Sequence, residues 1–391
     1  MNAANSPRPS VKRLLMGPGP SSVSPRVLQA MAMPTIGHLD PEFLAVMNDT
    51  AVLLREAFET GNSLAIPISG TGSAGMEAAL VNVVEPGDRV LVAINGFFGL
   101  RMADIVQRCR GELTTISAPW GHAFDPADVI RAIREKHPKV VAIVHAETST
   151  GVLQPLREIG KACREAGAMF VADMVTSLAG THVGVDDNLV DVAYSGSQKC
   201  LSCPPGMAPI TLNDRATTVV MGRKSPVQSW YLDLSMINRY WGSERFYHHT
   251  APINMVYALH EALLAVSEEG LDARACRHSS ISARFACAVE AMGLALLVPK
   301  EFRTPMLACV ITPEGIDEAG VRKELLLEYG IEIGGGLGEL KGRIWRIGLM
   351  GESCTLANAT LVIAAIGQIL HRRGCKVDVG AGLRALGESL S

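Results

Sequence analysis

The segment Ser63–Glu77 reads SLAIPISGTGSAGME and holds a strand, a glycine-rich turn and a helix start in one short span. Ser63 to Ser69 is a nearly continuous apolar run, the pattern of a strand covered on both faces. Met76, Ala79, Leu80 and Val83 then recur at helical spacing. The same alternation continues to about residue 215. Arg89–Ile94 reads as a second strand, Lys139–His145 as a third, and Ile159, Ala162, Cys163 and Ala166 mark one helix face. Ala168–Asp173 and Val190–Tyr194 supply two more strands. Continuous apolar strands alternating with helices predict an α/β fold with a mostly parallel central sheet, whose ligands bind beyond the carboxyl ends of the strands.

After about residue 250 the pattern changes. Ile253–Glu269 predicts one long helix, with further helical sequence to about Gly293. Strands follow at Met306–Thr312, Ile331–Ile333 and Arg343–Ile347, with a helix after Asp317 and a last helix over Leu356–His371. This mixture predicts a smaller α+β C-terminal domain with a boundary near 265–280. The expected division is an N-terminal arm over 1–20, a large domain over 21–272 and a small domain over 273–391. At ~150 residues per domain, 391 residues allow two or three domains, and the pattern selects two. Size scaling gives a folded surface of roughly 15,000 Å² against about 60,000 Å² unfolded, so a core forms without disulfides or metals.

Composition narrows the function classes. With 48% hydrophobic and 19% charged residues, the chain is not disordered. Its 36 basic and 39 acidic residues leave a net charge of -3, with no basic surplus for a phosphate backbone, so nucleic acid is not an expected partner. The nine cysteines are odd in number and scattered, which suits reduced thiols in a cytoplasmic protein better than a disulfide framework. Cys200 and Cys203 form one CxxC without a second pair or a nearby His, so no metal is expected. The N-terminal MNAANSPRPSVKR lacks the apolar core of a signal peptide. Apolar stretches such as Ala359–Leu370 fall short of the ~20 residues that span a bilayer, so no membrane is expected either.

Three features carry chemistry. Gly70, Gly72 and Gly75 match G-x-G-x-x-G between a strand and a helix. The acid that a dinucleotide site needs at the end of the second strand is missing: Arg89–Ile94 runs into Asn95 and Gly96, and Asp88 stands at the wrong end. Two readings remain. Backbone N–H groups near Gly72 and Ser73 hold a phosphate, with Thr71 or Ser73 hydroxyls helping, or the segment is an ordinary glycine-rich turn. Asp173 ends a strong strand, where an acid either caps the next helix or meets a cation in the cleft. Lys199, in SGSQK just past the following strand, stands where a lysine can lose its proton and form a Schiff base. A phosphate-binding helix start, an acid for the pyridine nitrogen and a lysine for the aldehyde are the three parts of a pyridoxal phosphate site.

Further motifs stand in a fixed order: LLMGPGP (14–20), ALVNVVEPGD (79–88), ETSTGVLQPL (147–156), VADMVTSLAG (171–180), YSGSQK (194–199), YHHT (247–250) and WRIGLMG (345–351). Through them the chain resembles the class V aminotransferases of pyridoxal phosphate fold type I, and most closely the alanine–glyoxylate (serine–pyruvate) group. The resemblance implies that Lys199 is the Schiff-base lysine and the proton-moving base, and that Asp173 partners the pyridine nitrogen with Val175 packed under the ring. Gly72, Ser73 and Gln198 match phosphate contacts. Tyr247 and Thr250 match residues that reach the phosphate of a neighbouring subunit, which implies a homodimer with shared active sites. Phe98 falls where a ring stacks on the pyridine, and Thr148 where a hydroxyl meets the cofactor. Arg346, expected at the end of a strand in the smaller domain, matches the arginine that grips a substrate carboxylate, although by itself it reads more readily as a surface ion-pair residue. Gly17 and His38 fall at substrate-side positions.

The implied reaction is a ping-pong transfer from a small amino acid, alanine or serine, to glyoxylate or pyruvate. The similar ureidoglycine–glyoxylate aminotransferases carry Gln in place of His38 and Asn in place of Tyr247, so ureidoglycine is the alternative donor. A lyase such as a cysteine desulfurase needs a reactive cysteine, and neither Cys354 nor Cys203 lies in an activating motif. Gly334, Gly335, Gly336 and Gly338 read as a turn, and the adjacent His248 and His249 as structural residues pointing in different directions.

Overall fold

Seven strands build the central sheet: β1 (Leu64–Ser69), β2 (Arg89–Ile94), β3 (Glu112–Ser117), β4 (Val140–Val144), β5 (Met169–Asp173), β6 (Val192–Tyr194) and β7 (Met207–Leu212), in the order β1-β7-β6-β5-β4-β2-β3. The computed structural model describes residues 13–388; residues 1–12, which hold most of the N-terminal stretch and of the expected arm, lie outside them, as do 389–391. The strands from β6 to β3 are parallel, and only β7 runs antiparallel to its neighbours β1 and β6. Prolines disfavour sheet interiors, yet β1 and β7 each contain one, and Pro67 and Pro209 sit opposite each other. The Pro209 carbonyl accepts from the Ser195 N–H on the other side, at 2.7 Å. Its backbone therefore faces away from Pro67, and neither missing N–H interrupts that ladder.

Two helices start just beyond carboxyl ends of strands: α1 (Gly72–Val83) after β1 and α2 (Phe97–Arg108) after β2. A large apolar core runs from Val27 to Val266 around this sheet. A second core runs from Phe285 to Leu386 and recruits Met16. It surrounds an antiparallel sheet of β8 (Leu307–Ile311), β9 (Gly334–Gly335) and β10 (Ile344–Gly348) in the order β8-β10-β9.

This small sheet corrects two expectations. Arg346 lies in the middle of β10, not at its end, because pairing with β8 continues through Gly348 opposite Leu307. Gly334 and Gly335 form a strand against Trp345 and Arg346, not a turn. A Cβ on Gly334 would lie 2.5 Å from Pro18 Cδ, so the missing side chain lets the N-terminal segment pass close by. That segment is anchored at Leu14–Leu15, which pair in parallel with Ile331–Glu332.

Helix α3 (Ile253–Glu269) matches its expected span and is followed by α4 (Leu271–Ala291). Arg274 of α4 donates to the Ala179 carbonyl at 2.8 Å, and Arg277 to the carbonyls of Gly351 and Cys354 at 3.0 and 2.8 Å. His278 accepts the Gly351 N–H at 3.0 Å. One helix end thus ties loops of the central sheet to the turn that follows β10. No described helix is long and apolar enough to cross a membrane.

Candidate active site

A cavity of about 220 Å³ opens at the carboxyl ends of the strands, lined by Gly72, Ser73, Met76, Phe98, Arg101, Val144, Thr148, Asp173, Val175, Gln198 and Lys199. The sequence spreads these residues over more than a hundred positions. The parallel sheet gathers them because each loop after a strand turns on the same edge.

Asp173 ends β5 and is almost fully buried. Its Oδ1 accepts the Val175 N–H at 2.8 Å and its Oδ2 accepts the Tyr194 hydroxyl at 2.9 Å. Burial pushes the carboxyl up to about 7; the two hydrogen bonds and the nearby Lys199 pull the other way. Lys199 is 8% exposed, and burial first, then the charge of Arg346, bring its ammonium down to about 8. Its Nζ donates to the Pro18 carbonyl. Gly17–Gly19 lies over the amine, and Gly19 has φ +111° with no room for a Cβ, which would stand 2.6 Å from Nζ. A buried acid and a buried amine thus titrate toward each other around neutrality, the arrangement suited to proton transfer.

Arg346, from β10, is not itself a lining residue but stands beside the cavity, against Thr148. Its Nε donates to the Gly335 carbonyl at 2.7 Å and its Nη1 to the Thr148 carbonyl at 3.1 Å, while Nη2 has no partner among the described residues. Two backbone bonds hold the guanidinium flat and leave one nitrogen for a ligand.

The glycine-rich turn is a close-packed joint. A Cβ on Gly72 would lie 3.2 Å from Val175 Cγ2, and one on Gly196 would lie 2.9 Å from Gln198 Oε1. Gln198 Oε1 is buried without a hydrogen-bond partner. Thr71 caps α1 by position but makes no side-chain cap bond and does not line the cavity. Ser73 Oγ accepts from Arg101 at 2.8 Å.

Tyr247, Thr250 and His38 do not line this cavity within one chain. The Tyr247 and Thr250 hydroxyls lie 3.4 Å apart, and the His38 ring is 5.3 Å from that of Tyr247. Gly17 belongs to the segment over Lys199 and is not among the lining residues. His248 and His249 point at each other, Nδ1 to Nδ1 at 2.7 Å, contrary to the expectation of divergence. The contact completes a chain from Ser69 Oγ (3.0 Å from His249 Nε2) to the Trp230 carbonyl (3.2 Å from His248 Nε2). One tautomer set satisfies it: His248 donates to Trp230, His249 donates to His248, and Ser69 donates to His249. Burial, then His248, holds His249 down at about 4, in keeping with a neutral ring.

Three residues escape a reading of the sequence. Glu147 is fully buried and accepts the N–H groups of Phe98, Gly99 and Ser149 at 3.2, 3.4 and 3.0 Å, fixing the start of α2. Tyr194 holds Asp173, and Arg101 holds Ser73. Glu147 and Tyr194 lie inside quoted motifs, but nothing in the string marks them as buried. Arg101 follows Phe98 by three residues, one helical turn, and that spacing was the available signal.

Fold and site together define an α/β enzyme with a buried lysine and a buried acid in one cleft and an arginine beside it, the class of fold type I aminotransferases. The chain belongs to the class V aminotransferase family, which matches residues 15–339. It is 43% identical to (S)-ureidoglycine–glyoxylate transaminase of Bacillus subtilis, over 95% of this chain and 94% of that protein. The crystal structure of the ureidoglycine–glyoxylate aminotransferase from Bacillus subtilis superposes with a TM-score of 0.96 at 44% identity, covering 97% of this chain and 98% of that one. The structure of alanine–glyoxylate aminotransferase from Nostoc sp. gives 0.92 at 46% identity, covering 94% and 98%.

Proposed function

We propose that this aminotransferase uses pyridoxal phosphate to move an amino group from alanine or serine to glyoxylate or pyruvate in a ping-pong cycle. The convergence of Lys199, Asp173 and Arg346 on one cleft carries the reading. The cavity's own features fit the cofactor. Gly72 and Gly196 leave a cradle that a Cβ would fill, and Asp173 is a buried acid awaiting a cation. When bound, pyridoxal phosphate supplies an aldehyde that takes up the amino group and a protonated ring that accepts the charge developing at Cα.

The chain's residues do the rest. Lys199, brought down to about 8, would hold the aldehyde and then carry the proton to and from Cα. Asp173 keeps the ring nitrogen protonated, with Tyr194 fixing its carboxylate. Phe98 and Val175, which line the cavity, would flank the ring. Gly72, Ser73 and Gln198, with Thr71 at the helix start, take the phosphate, and Thr148 offers a hydroxyl beside the ring. Arg346 orients the substrate carboxylate, and Gly17 with its neighbours closes over the amine.

The same reading includes a cytoplasmic homodimer in which Tyr247 and Thr250 complete the neighbour's site. An exposed apolar patch supports it: Trp230, Tyr231, Phe246 and Tyr247 are 57%, 41%, 51% and 53% exposed, with Met33 and Leu39 also bare. All nine cysteines are free thiols, in keeping with a reducing compartment. The two separate apolar cores support the division at about residue 272.

For the donor, Tyr247 favours alanine or serine, while the identity to ureidoglycine–glyoxylate transaminase keeps ureidoglycine as a second reading. A matrix of alanine, serine, glycine and ureidoglycine against glyoxylate and pyruvate decides between them. Turnover with alanine or serine above that with ureidoglycine is expected; the reverse order moves the assignment to ureidoglycine. Lys199→Ala should abolish turnover and the adduct that borohydride traps. Undiminished turnover in that variant sinks the aminotransferase mechanism at this lysine.

A further inference from the structure

Lys199 and Arg101 are the two cations among the residues lining the cavity. Lys199 is engaged with the Pro18 carbonyl and is pushed toward neutrality. Arg101 is different. It is half-buried, and its one side-chain hydrogen bond among the described residues runs from Nη1 to Ser73 Oγ at 2.8 Å. It has no carboxylate partner among them; the neighbouring Arg108 takes Asp104. Its guanidinium stands 5.5 Å from the Phe97 ring centroid and 5.0 Å from that of Phe98, which keeps it between the two rings and the start of α1. An unpaired, partly buried cation at a helix N-terminus lacks its counter-charge.

We propose that Arg101 is the charge-bearing positioning residue of the phosphate site, a role that rests on the pyridoxal phosphate reading above. The geometry assigns it two tasks. A serine hydroxyl has one proton to give, and Arg101 occupies an acceptor position on Ser73 Oγ, so that proton stays free for a phosphate oxygen. Its unpaired charge also favours the phosphate dianion over the monoanion, adding a full charge to what hydroxyls and amide N–H groups supply. Arg101 is therefore expected to set affinity for the phosphate and not for the aldehyde.

The test separates those two parts of the cofactor. Full-length protein freed of cofactor is titrated with pyridoxal phosphate, and in parallel with pyridoxal, following the absorbance of the Lys199 adduct. Hydrogen bonds to charged groups are worth roughly 1.5–3 kcal/mol, so Arg101→Gln should weaken pyridoxal phosphate about ten- to a hundred-fold. Pyridoxal affinity should be unchanged, and Arg101→Lys should recover part of the loss because the charge returns without the fork. Phosphorus NMR supplies a readout independent of turnover. The bound phosphate signal should stay constant through the range near pH 6 where a free phosphate ester titrates, and should move with pH in Arg101→Gln. Equal affinity of wild type and Arg101→Gln for pyridoxal phosphate overturns the proposal. Equal losses for both ligands overturn it too, since they would show that Arg101 only supports Phe98. Failure of the wild-type protein to form a Lys199 adduct with either ligand removes the cofactor reading itself, and this role with it.

Discussion

Asp173 and Lys199 hold protonation states that the unfolded chain does not share, so each ties stability to pH. In the cofactor-free protein Asp173 sits at about 7 against an ordinary 3.8. Between those values the folded chain keeps a proton that the unfolded chain has released, so this contribution is present at low pH and is lost as pH rises toward 7. Lys199 sits at about 8 against 10.5, so the unfolded chain holds the extra proton there, and this contribution grows as pH rises from 8 to 10.5. Asp173→Asn should flatten the first limb by roughly 4 kcal/mol, at ~1.4 kcal/mol per unit, and leave the second. Urea unfolding of the cofactor-free protein from pH 4 to 10 measures both limbs, and an unchanged fall between 4 and 7 would assign it to another group. Arg346 acts on substrate instead. Arg346→Ala should raise KM for both the amino acid and the 2-oxo acid about ten- to a hundred-fold, and Arg346→Lys should rescue little because the flat, two-point grip is lost. Steady-state kinetics with each substrate varied in turn gives the answer; an unchanged KM would place the carboxylate elsewhere.

At the scale of elements, the N-terminal segment and β10 meet at one tight joint. Gly348 N–H donates to the Met16 carbonyl at 2.7 Å, and a Cβ on Gly348 would lie 1.9 Å from the Gly17 carbonyl oxygen. Both partners are backbone, so Gly348→Ala must move the segment that covers Lys199. The expected cost is about 1–3 kcal/mol in denaturant unfolding. Lys199 should also regain solvent and titrate above 8, shifting the acid limb of the pH–rate profile upward. Stability loss without that shift would mean that Gly17–Gly19 does not control the amine. The parallel strands were legible because their apolar runs are unbroken; β2 matches its expected span, and the others shorten by a residue or two at their ends. Two strands were not. β3 reads ELTTIS because it is the sheet's edge and half of it faces water, and β7 contains Pro209, whose harmlessness depends on a register with Pro67 that no local pattern reveals. The site divides in the same way. Lys199, Asp173 and the glycines follow from strand ends and motifs, whereas Glu147, Tyr194 and Arg101 matter through contacts made across 21 to 49 residues of sequence. Such pairings belong to the packed sheet, and of the three only Arg101, one helical turn after Phe98, leaves a trace in spacing.

At the scale of the molecule, the exposed aromatic patch and the cavity belong to one problem. His38, Tyr240 and Tyr247 lie against each other, Trp230 stacks on His248 at 4.4 Å, and the histidine pair runs on to Ser69 at the edge of the glycine-rich turn. The patch is therefore wired to the chain's own glycine-rich turn, while Tyr247 and Thr250 are exposed. In a two-fold dimer the same patch meets itself, so each site would draw Lys199 from one subunit and Tyr247 from the other. This makes a sharp prediction for mixed dimers. A Lys199→Ala dimer should be inactive, and a Tyr247→Ala dimer should be poorly active at limiting pyridoxal phosphate. In a mixed dimer both substitutions fall on one site and leave the second site wild type. Unfolding and refolding the two variants together should therefore restore about a quarter of wild-type activity, since half of randomly formed two-fold dimers are mixed and half of their sites are intact. If each site were built within a single chain, every site in the mixture would carry one substitution, and activity would stay at the mean of the two parents.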